Sequence, residues 1–299
     1  MANTDIIPNL KASTIALGII DESKPMFPLV IGGTGFLISE DGFFVTATHV
    51  LLGLQNALPK YLEKNPQATI MAIQNVVRKT GQEAQIDVKI FKILKIINLK
   101  AKPATNYHSS SDVDISVCRL YGNIHDLEHL ELKKTQLNVY DEIFMCGYPK
   151  GTFVVKQHSL GTTRTSPSLQ TGRISTVFPY DGTIEPEGIQ TDIVGTGGSS
   201  GSPIVDANDG KVIAIAQNVL GVSVTKKELV NDNGTRKWIE VDEGDILYSG
   251  NTGLTFGVTM FFMHDFILKI IDQIKLEFYQ DGNIKPEFAK PPKTRNFNL

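Results

Sequence analysis

Only two cysteines occur among 299 residues. Cys118 and Cys146 each sit in an apolar, strand-like run, so a disulfide scaffold is excluded and two reduced, buried thiols are expected. Neither local sequence suggests the activating neighbourhood that a thiol nucleophile needs. Basic residues are not in excess: the net charge is −3 and no Lys/Arg stripe stands out, which leaves no electrostatic case for nucleic acid. A long apolar run is lacking too. The stretch around 260–279 is broken by His264, Asp265, Lys269, Asp272, Gln273 and Lys275, so no membrane span or membrane partner is expected. MANTDIIPNLKAS lacks a basic segment followed by an apolar one, so no export signal and a cytoplasmic location are expected. No GK[ST] follows either glycine-rich turn, which argues against nucleotide binding, and no cofactor is expected.

What the chain does contain is short β runs punctuated by turns. They fall at 13–20, 33–38, 43–51, 88–99, 114–120, 142–148, 172–178, 202–206, 211–219 and 254–262. Turn residues such as Glu40-Asp41-Gly42 and Asn208-Asp209-Gly210 separate them, a pattern of sandwiches or barrels. Helical signals are few. A short helix is predicted over 54–65, and an amphipathic one near the C-terminus, where Phe262, Phe266, Ile270 and Ile274 recur every four residues. The predicted division is an extension over 1–12, a β unit over 13–122, a polar connector over 123–138, a second β unit over 139–262, a helix over 263–279 and a flexible tail over 280–299.

The segment GTGGSSGSPIVD (195–206) puts four glycines and three serines into eight positions before an apolar strand. A floppy linker is one reading. A linker has no reason to run directly into PIVD, however, and the other reading is a shaped turn presenting a hydroxyl and backbone amides to a reacting atom. A serine hydroxyl needs a base, usually a histidine oriented by a carboxylate. Of six histidines, His49 ends the strong run FFVTATH. Asp114 opens the buried run DISVCRL, with Asp112 as the rival carboxylate. Glycine at 198 permits a backbone whose own N–H converges with that of Ser200.

These segments, in the order His, Asp, Ser, resemble trypsin-like serine peptidases, most closely the bacterial HtrA-like branch. GTGFLISEDGFFVTATHV is similar to that family's histidine segment, SDVDISV to its aspartate segment and QTDIVGTGGSSGSPIVD to its nucleophile loop. The resemblance covers residues 13–275. It implies an all-β fold of two antiparallel Greek-key six-stranded barrels, with a C-terminal helix and a cleft between the barrels. It further implies peptide-bond hydrolysis, with Ser200 as nucleophile, His49 as general base and acid, Asp114 as orienter, and the Gly198 and Ser200 amides as oxyanion hole. The position six before Ser200, which would be acidic in a trypsin-type pocket, is Val194, and alignment places Val219 and Leu254 nearby. A small or apolar residue before the cut is therefore expected, since a cationic one would be desolvated without a partner.

Three departures from the family pattern matter. Ser199 stands where digestive members carry an Asp that pairs with a freed N-terminus, so no activation by N-terminal cleavage is expected, although VIGG (30–33) imitates such a terminus. Ser202 replaces the usual glycine. No peptide-binding domain of the kind found in full HtrA-type chains is expected after the helix. A protein or peptide substrate is implied, and the insert between His49 and Asp114 and the segment 221–252 are candidate contacts for a regulatory protein. Two alternatives stay open, a protease-fold protein that binds without cutting and an esterase. His125 and His129 have i, i+4 spacing but no third ligand, so no metal is expected. His158 and His264 lack partners, and Asn233-Gly-Thr235 is a glycosylation sequon without meaning unless the chain is secreted.

Overall fold

In the computed structural model the described residues are 3–23, 28–80, 83–99, 113–122, 124–149, 154–157, 160–163, 166–223, 227–232, 235–240, 249–280 and 283–288. After helix α1 (Asn3–Ser13), strands β1 (Thr14–Asp21), β2 (Pro28–Leu37), β3 (Phe43–Thr46), β4 (Ala68–Thr80), β5 (Glu83–Asn98) and β6 (Ser116–Leu120) close a barrel in the order β1-β2-β3-β6-β5-β4. Helix α2 (Thr48–Leu62) is inserted between β3 and β4. The second barrel begins with β7 (Glu142–Gly147). An outlying hairpin, β8 (Val154–Gln157) with β9 (Leu160–Thr163), comes before β10 (Ser168–Phe178), β11 (Gly188–Thr191), β12 (Pro203–Asp206) and β13 (Val212–Ser223). A further hairpin, β14 (Lys227–Asp232) with β15 (Thr235–Glu240), precedes β16 (Ser249–Thr259), and the barrel closes as β10-β11-β16-β13-β12-β7. Every pairing within the barrels is antiparallel, as the many short runs and turns predict. No helix among the described residues is long and apolar enough to cross a membrane.

Strand β1 is buried along its whole length because both faces are covered. Ile15, Leu17 and Ile19 fill the first barrel with Leu37, Phe44 and Phe91, while Ala16 and Ile20 turn the other way, onto Met71, Ile73 and Tyr148. Ile143, Ile174, Ile189, Ile204 and Ile213 fill the second barrel. A third cluster joins the two: Phe36, Phe43 and Val117 of the first barrel meet Val205, Ile215 and Val258 of the second under helix α3 (Met260–Phe278). Met263, Ile267 and Ile274 of α3 are fully buried there, and each such side chain contributes roughly 1.5–3 kcal/mol.

The two long helices differ from expectation in phase and in start. The buried face of α3 is Met260, Met263, Ile267, Ile274 and Phe278, and Phe266 is 43% exposed. A strict four-residue ladder drifts by about 40° per step around a helix, so it leaves the buried stripe. The run 43–51, predicted as strand throughout, is strand only to Thr46, and α2 begins at Thr48 rather than 54. Val50, Leu51 and Leu54 then lie on one buried helical face. Residues 254–262 are likewise strand only to Thr259. Helix α3 stops one residue short of the predicted 279: β17 (Tyr279–Gln280) pairs with β18 (Asn283–Ile284) at the start of the predicted tail, and Phe288 packs edge-on against Phe278.

Residues 124–138 carry no helix or strand beyond a bridge from Leu132 to Val212. Backbone bonds from Lys133 N to Val212 O and from Val212 N to Glu131 O, both 2.8 Å, tie this segment to the second barrel. The Lys133 ammonium adds contacts to Asp206 (2.7 Å) and Asp209 (2.8 Å). Burial pushes the Asp206 carboxyl up, but hydrogen bonds from Lys133 and Asn208 outweigh it and hold the group below its ordinary value. A carboxylate depressed on folding stabilises above its unfolded pKa, and that contribution is lost as pH falls through the folded value. Wild type is therefore expected to lose more stability than Lys133→Met between about pH 7 and about pH 3, measured by urea midpoints; equal losses would mean that the pair contributes nothing.

Candidate active site

His49 is the second residue of α2, a helix whose own N-cap, Ala47, offers no side-chain hydrogen bond. Asp114 takes over that task from across the barrel. Its Oδ1 accepts the His49 backbone N–H at 2.8 Å, and its Oδ2 pairs with Nδ1 of the His49 ring. One carboxylate thus satisfies an orphan amide at a helix N-terminus and fixes the imidazole plane. A carboxylate accepts only, so Nδ1 carries the proton and Nε2 keeps its lone pair. The pair is partly open to solvent, with side-chain exposures of 45% for His49 and 29% for Asp114.

Asp114 is itself held from behind. Its carbonyl accepts the Thr48 N–H (3.3 Å) and Nε2 of Gln217 (3.2 Å), which reaches over from β13. Ser116, two residues on, donates its hydroxyl to Asn98 Oδ1 at 2.7 Å. Its only proton is then used, so Thr48 must be the donor in the 2.9 Å contact between the two hydroxyls. Ser116, at the start of β6, is thereby tied to both β5 and α2.

The glycine-rich segment is fixed at several points, so the linker reading is wrong. Ser199 N–H donates to Thr196 O (2.9 Å), Gly201 N–H to Ala216 O (2.7 Å) and Ser202 N–H to Ser199 O (3.0 Å). Thr34 of β2 clamps the turn to the first barrel. Its N–H donates to Ser200 O (3.0 Å), its hydroxyl donates to Gly198 O (2.8 Å), and the same hydroxyl accepts the Tyr148 N–H (2.9 Å). Gly198 (φ +95°) and Gly201 (φ +83°) both adopt left-handed backbone that side-chain-bearing residues rarely take. Among the described residues, neither the Gly198 amide nor the Ser200 amide donates a hydrogen bond. The Ser202 hydroxyl, standing where the family has glycine, is buried without a partner. It fits because residue 147 is glycine, where a Cβ would lie 2.1 Å from it.

Ser200 does not hydrogen-bond to His49. Its hydroxyl donates to Gln217 O at 3.0 Å, so the structure joins Asp114 to His49 and leaves the serine oriented toward β13. Gln217 therefore touches both residues: its carbonyl accepts the Ser200 hydroxyl, and its side-chain amide donates to the Asp114 carbonyl. Sequence reasoning passed over Gln217 and Thr34. The first is a polar interruption in the apolar run VIAIAQNV and was detectable; the second carries no distinguishing signal in GGTGF.

Val194, Val219 and Leu254 are gathered around one residue, Thr255. Thr255 pairs with Val219 of β13 and with Thr191 of β11, and its hydroxyl donates to Ile193 O at 2.7 Å. Val194 is 49% exposed, with its carbonyl accepting Nε2 of Gln170, and Leu254 is half-buried; the Val219 side chain lies outside the described residues. His125 and His129 are not on a helix, and no group of three His, Cys, Asp or Glu that could hold a metal occurs among the described residues. His264 contacts Asp265 on α3 at 3.1 Å. Cys118 and Cys146 are free and buried, and burial pushes the Cys118 thiol far above its ordinary value. Asp112, His158 and Asn233 lie outside the described residues.

Comparison with known proteins adds a family. No curated protein sequence is significantly similar. Among solved structures, the HtrA-type protease AlgW with a decapeptide superposes with a TM-score of 0.51 at 15% identity, covering 91% of this chain and 68% of that one. The crystal structure of Deg5 gives a TM-score of 0.44 at 19% identity, covering 72% and 84%. At such identities the AlgW match speaks for the fold, the pair of barrels described above. The family model of the trypsin-like peptidase domain matches residues 33–215, a span holding His49, Asp114 and Ser200. That span is more than half of the sequence, and the chain belongs to the trypsin-like peptidase family.

Proposed function

We propose that the protein is a serine endopeptidase in which Ser200, His49 and Asp114 act as one unit. The observation that carries this reading is the double grip of Asp114 on His49, which makes Nε2 the accepting nitrogen of the neutral ring. When substrate binds, the Ser200 hydroxyl leaves Gln217 O and passes its proton to Nε2 as Oγ attacks the peptide carbonyl carbon. The oxygen of the resulting tetrahedral anion is received by the free amides of Gly198 and Ser200; losing one such donor typically costs about 3 kcal/mol. His49 then returns the proton to the departing amine as the C–N bond breaks, leaving an acyl ester on Ser200. Water repeats the sequence: its proton goes to His49, its oxygen to the acyl carbon, and Ser200 recovers its hydrogen. The exposed, uncharged Val194 supports cleavage after a small or apolar residue.

The hydrogen bond from Ser200 to Gln217 O favours a second reading, a protein that binds peptides without cutting them. A fluorophosphonate probe separates the two. Wild type is expected to be labelled on Ser200 and Ser200→Ala not at all. If wild type reacts no better than Ser200→Ala, the binding reading stands and the peptidase reading fails.

A further inference from the structure

At the end of β6 remote from Asp114, a cavity of about 560 Å³ opens between the β2–β3 turn, the segment 124–129 and the C-terminal end of α3. Its wall includes Arg119, which is only 1% exposed. Three of its five N–H groups are used, all on neutral acceptors: Nε donates to the Tyr279 hydroxyl (2.9 Å), Nη1 to Leu120 O and Nη2 to Gly122 O (3.3 Å). Two N–H groups remain, and no carboxylate pairs with the guanidinium among the described residues. A buried cation without a counter-ion is costly, and the usual remedy is an anion.

The surroundings do not supply one directly. Burial pushes the Tyr279 hydroxyl up to about 12, so Tyr279 stays neutral, and it donates its proton to Asp41 Oδ2 at 2.9 Å. Asp41 is thus one hydroxyl removed from the guanidinium. A second cation, Lys275, lines the same cavity; its only partner among the described residues is the Phe43 ring, 5.7 Å away. His125 and His129 stand in the same wall; Nδ1 of His129 donates to Leu127 O at 3.1 Å, so Nε2 of its neutral ring accepts and gives an anion no donor. Against these, exposed Glu40 stands in the wall and disfavours a multiply charged guest. Ile38, Ile124 and Ile284 supply apolar surface. The volume is that of a small-molecule site.

We propose that this cavity binds a small monocarboxylate with a short apolar body, its head on Arg119 and Lys275 and its body against the three isoleucines. A guanidinium can offer paired N–H donors to a planar carboxylate, which an ammonium cannot do. None of His49, Asp114 or Ser200 lines the cavity, so the proposal stands or falls independently of the peptidase chemistry.

The test is calorimetric titration of the full chain, carrying Ser200→Ala to remove any hydrolysis, with hexanoate, hexanol, hexylamine and a hexapeptide bearing a free C-terminus. Hexanoate is expected to bind, and hexanol and hexylamine not. Lys275→Ala, on the exposed side of α3, should weaken hexanoate about tenfold, and Arg119→Met should abolish it. Circular dichroism checks that each variant is folded, and Lys275→Ala alone suffices if Arg119→Met does not fold. Absence of hexanoate binding, equal binding by Lys275→Ala, or binding of the peptide but not of hexanoate overturns the proposal.

Discussion

Asp114→Asn is expected to lower kcat by about four orders of magnitude while leaving KM and the unfolding midpoint close to wild type. The asparagine oxygen can still accept the His49 amide, as Oδ1 of Asp114 does at 2.8 Å, so α2 keeps its surrogate cap. The amide nitrogen, however, now faces Nδ1 of the ring where Oδ2 stood. A donor there forces the proton onto Nε2, which can no longer accept one from Ser200. Loss of kcat with intact folding is the signature of a wrong tautomer rather than a broken structure. Activity within tenfold of wild type would remove Asp114 from the proposed unit.

Gly201→Ala should damage both stability and turnover. A Cβ at this position would lie 2.0 Å from Thr34 O and 2.6 Å from the Thr46 hydroxyl, and φ is +83°. Neither neighbour can yield cheaply. Thr34 O already accepts the Thr46 hydroxyl at 2.6 Å, and the Gly201 N–H is spent on Ala216 O. The turn must back away from the first barrel, and the Thr34 clamp on Ser200 O and Gly198 O is lost with it. We expect a loss of roughly 3 kcal/mol in urea unfolding. A fall of at least about 100-fold in kcat/KM should accompany it, since a displacement near 1 Å has effects of that order. Wild-type values for both would mean that the nucleophile loop is not seated on β2 as described.

Most of the strands were legible in the sequence because their determinants are local: alternating or wholly apolar runs of β-branched residues, bounded by Asp-Gly and Asn-Asp-Gly turns; that they close into two barrels rather than a sandwich came from the family resemblance. Where the reading slipped, the deciding contacts came from elsewhere in the chain. THVLL (48–52) suits strand and helix equally, and what makes it helix is a carboxylate 65 residues away capping its first turn. The face that α3 buries is chosen by the joint between the barrels, which no helical window records. Strand β4 and the β14–β15 hairpin were not among the predicted runs; ATIMAIQNVVRKT and KELVND mix polar with apolar residues, and their long hairpin pairings are a product of the tertiary fold. The proposed site residues were named from the order of three motifs and the family they resemble. Glycines at 198 and 201 are demanded by the backbone itself, whereas Gln217 and Thr34 act through atoms whose partners only the folded chain reveals.

At the centre of this account is one claim, that the imidazole of His49 can draw the proton from Ser200 although the hydroxyl rests on Gln217 O. The rate of fluorophosphonate modification, with the adduct mapped by mass spectrometry, tests it most directly. The account predicts a single adduct on Ser200 and a rate at least about a thousandfold lower in His49→Ala. Equal rates in wild type and His49→Ala, or an adduct that persists in Ser200→Ala, would contradict it.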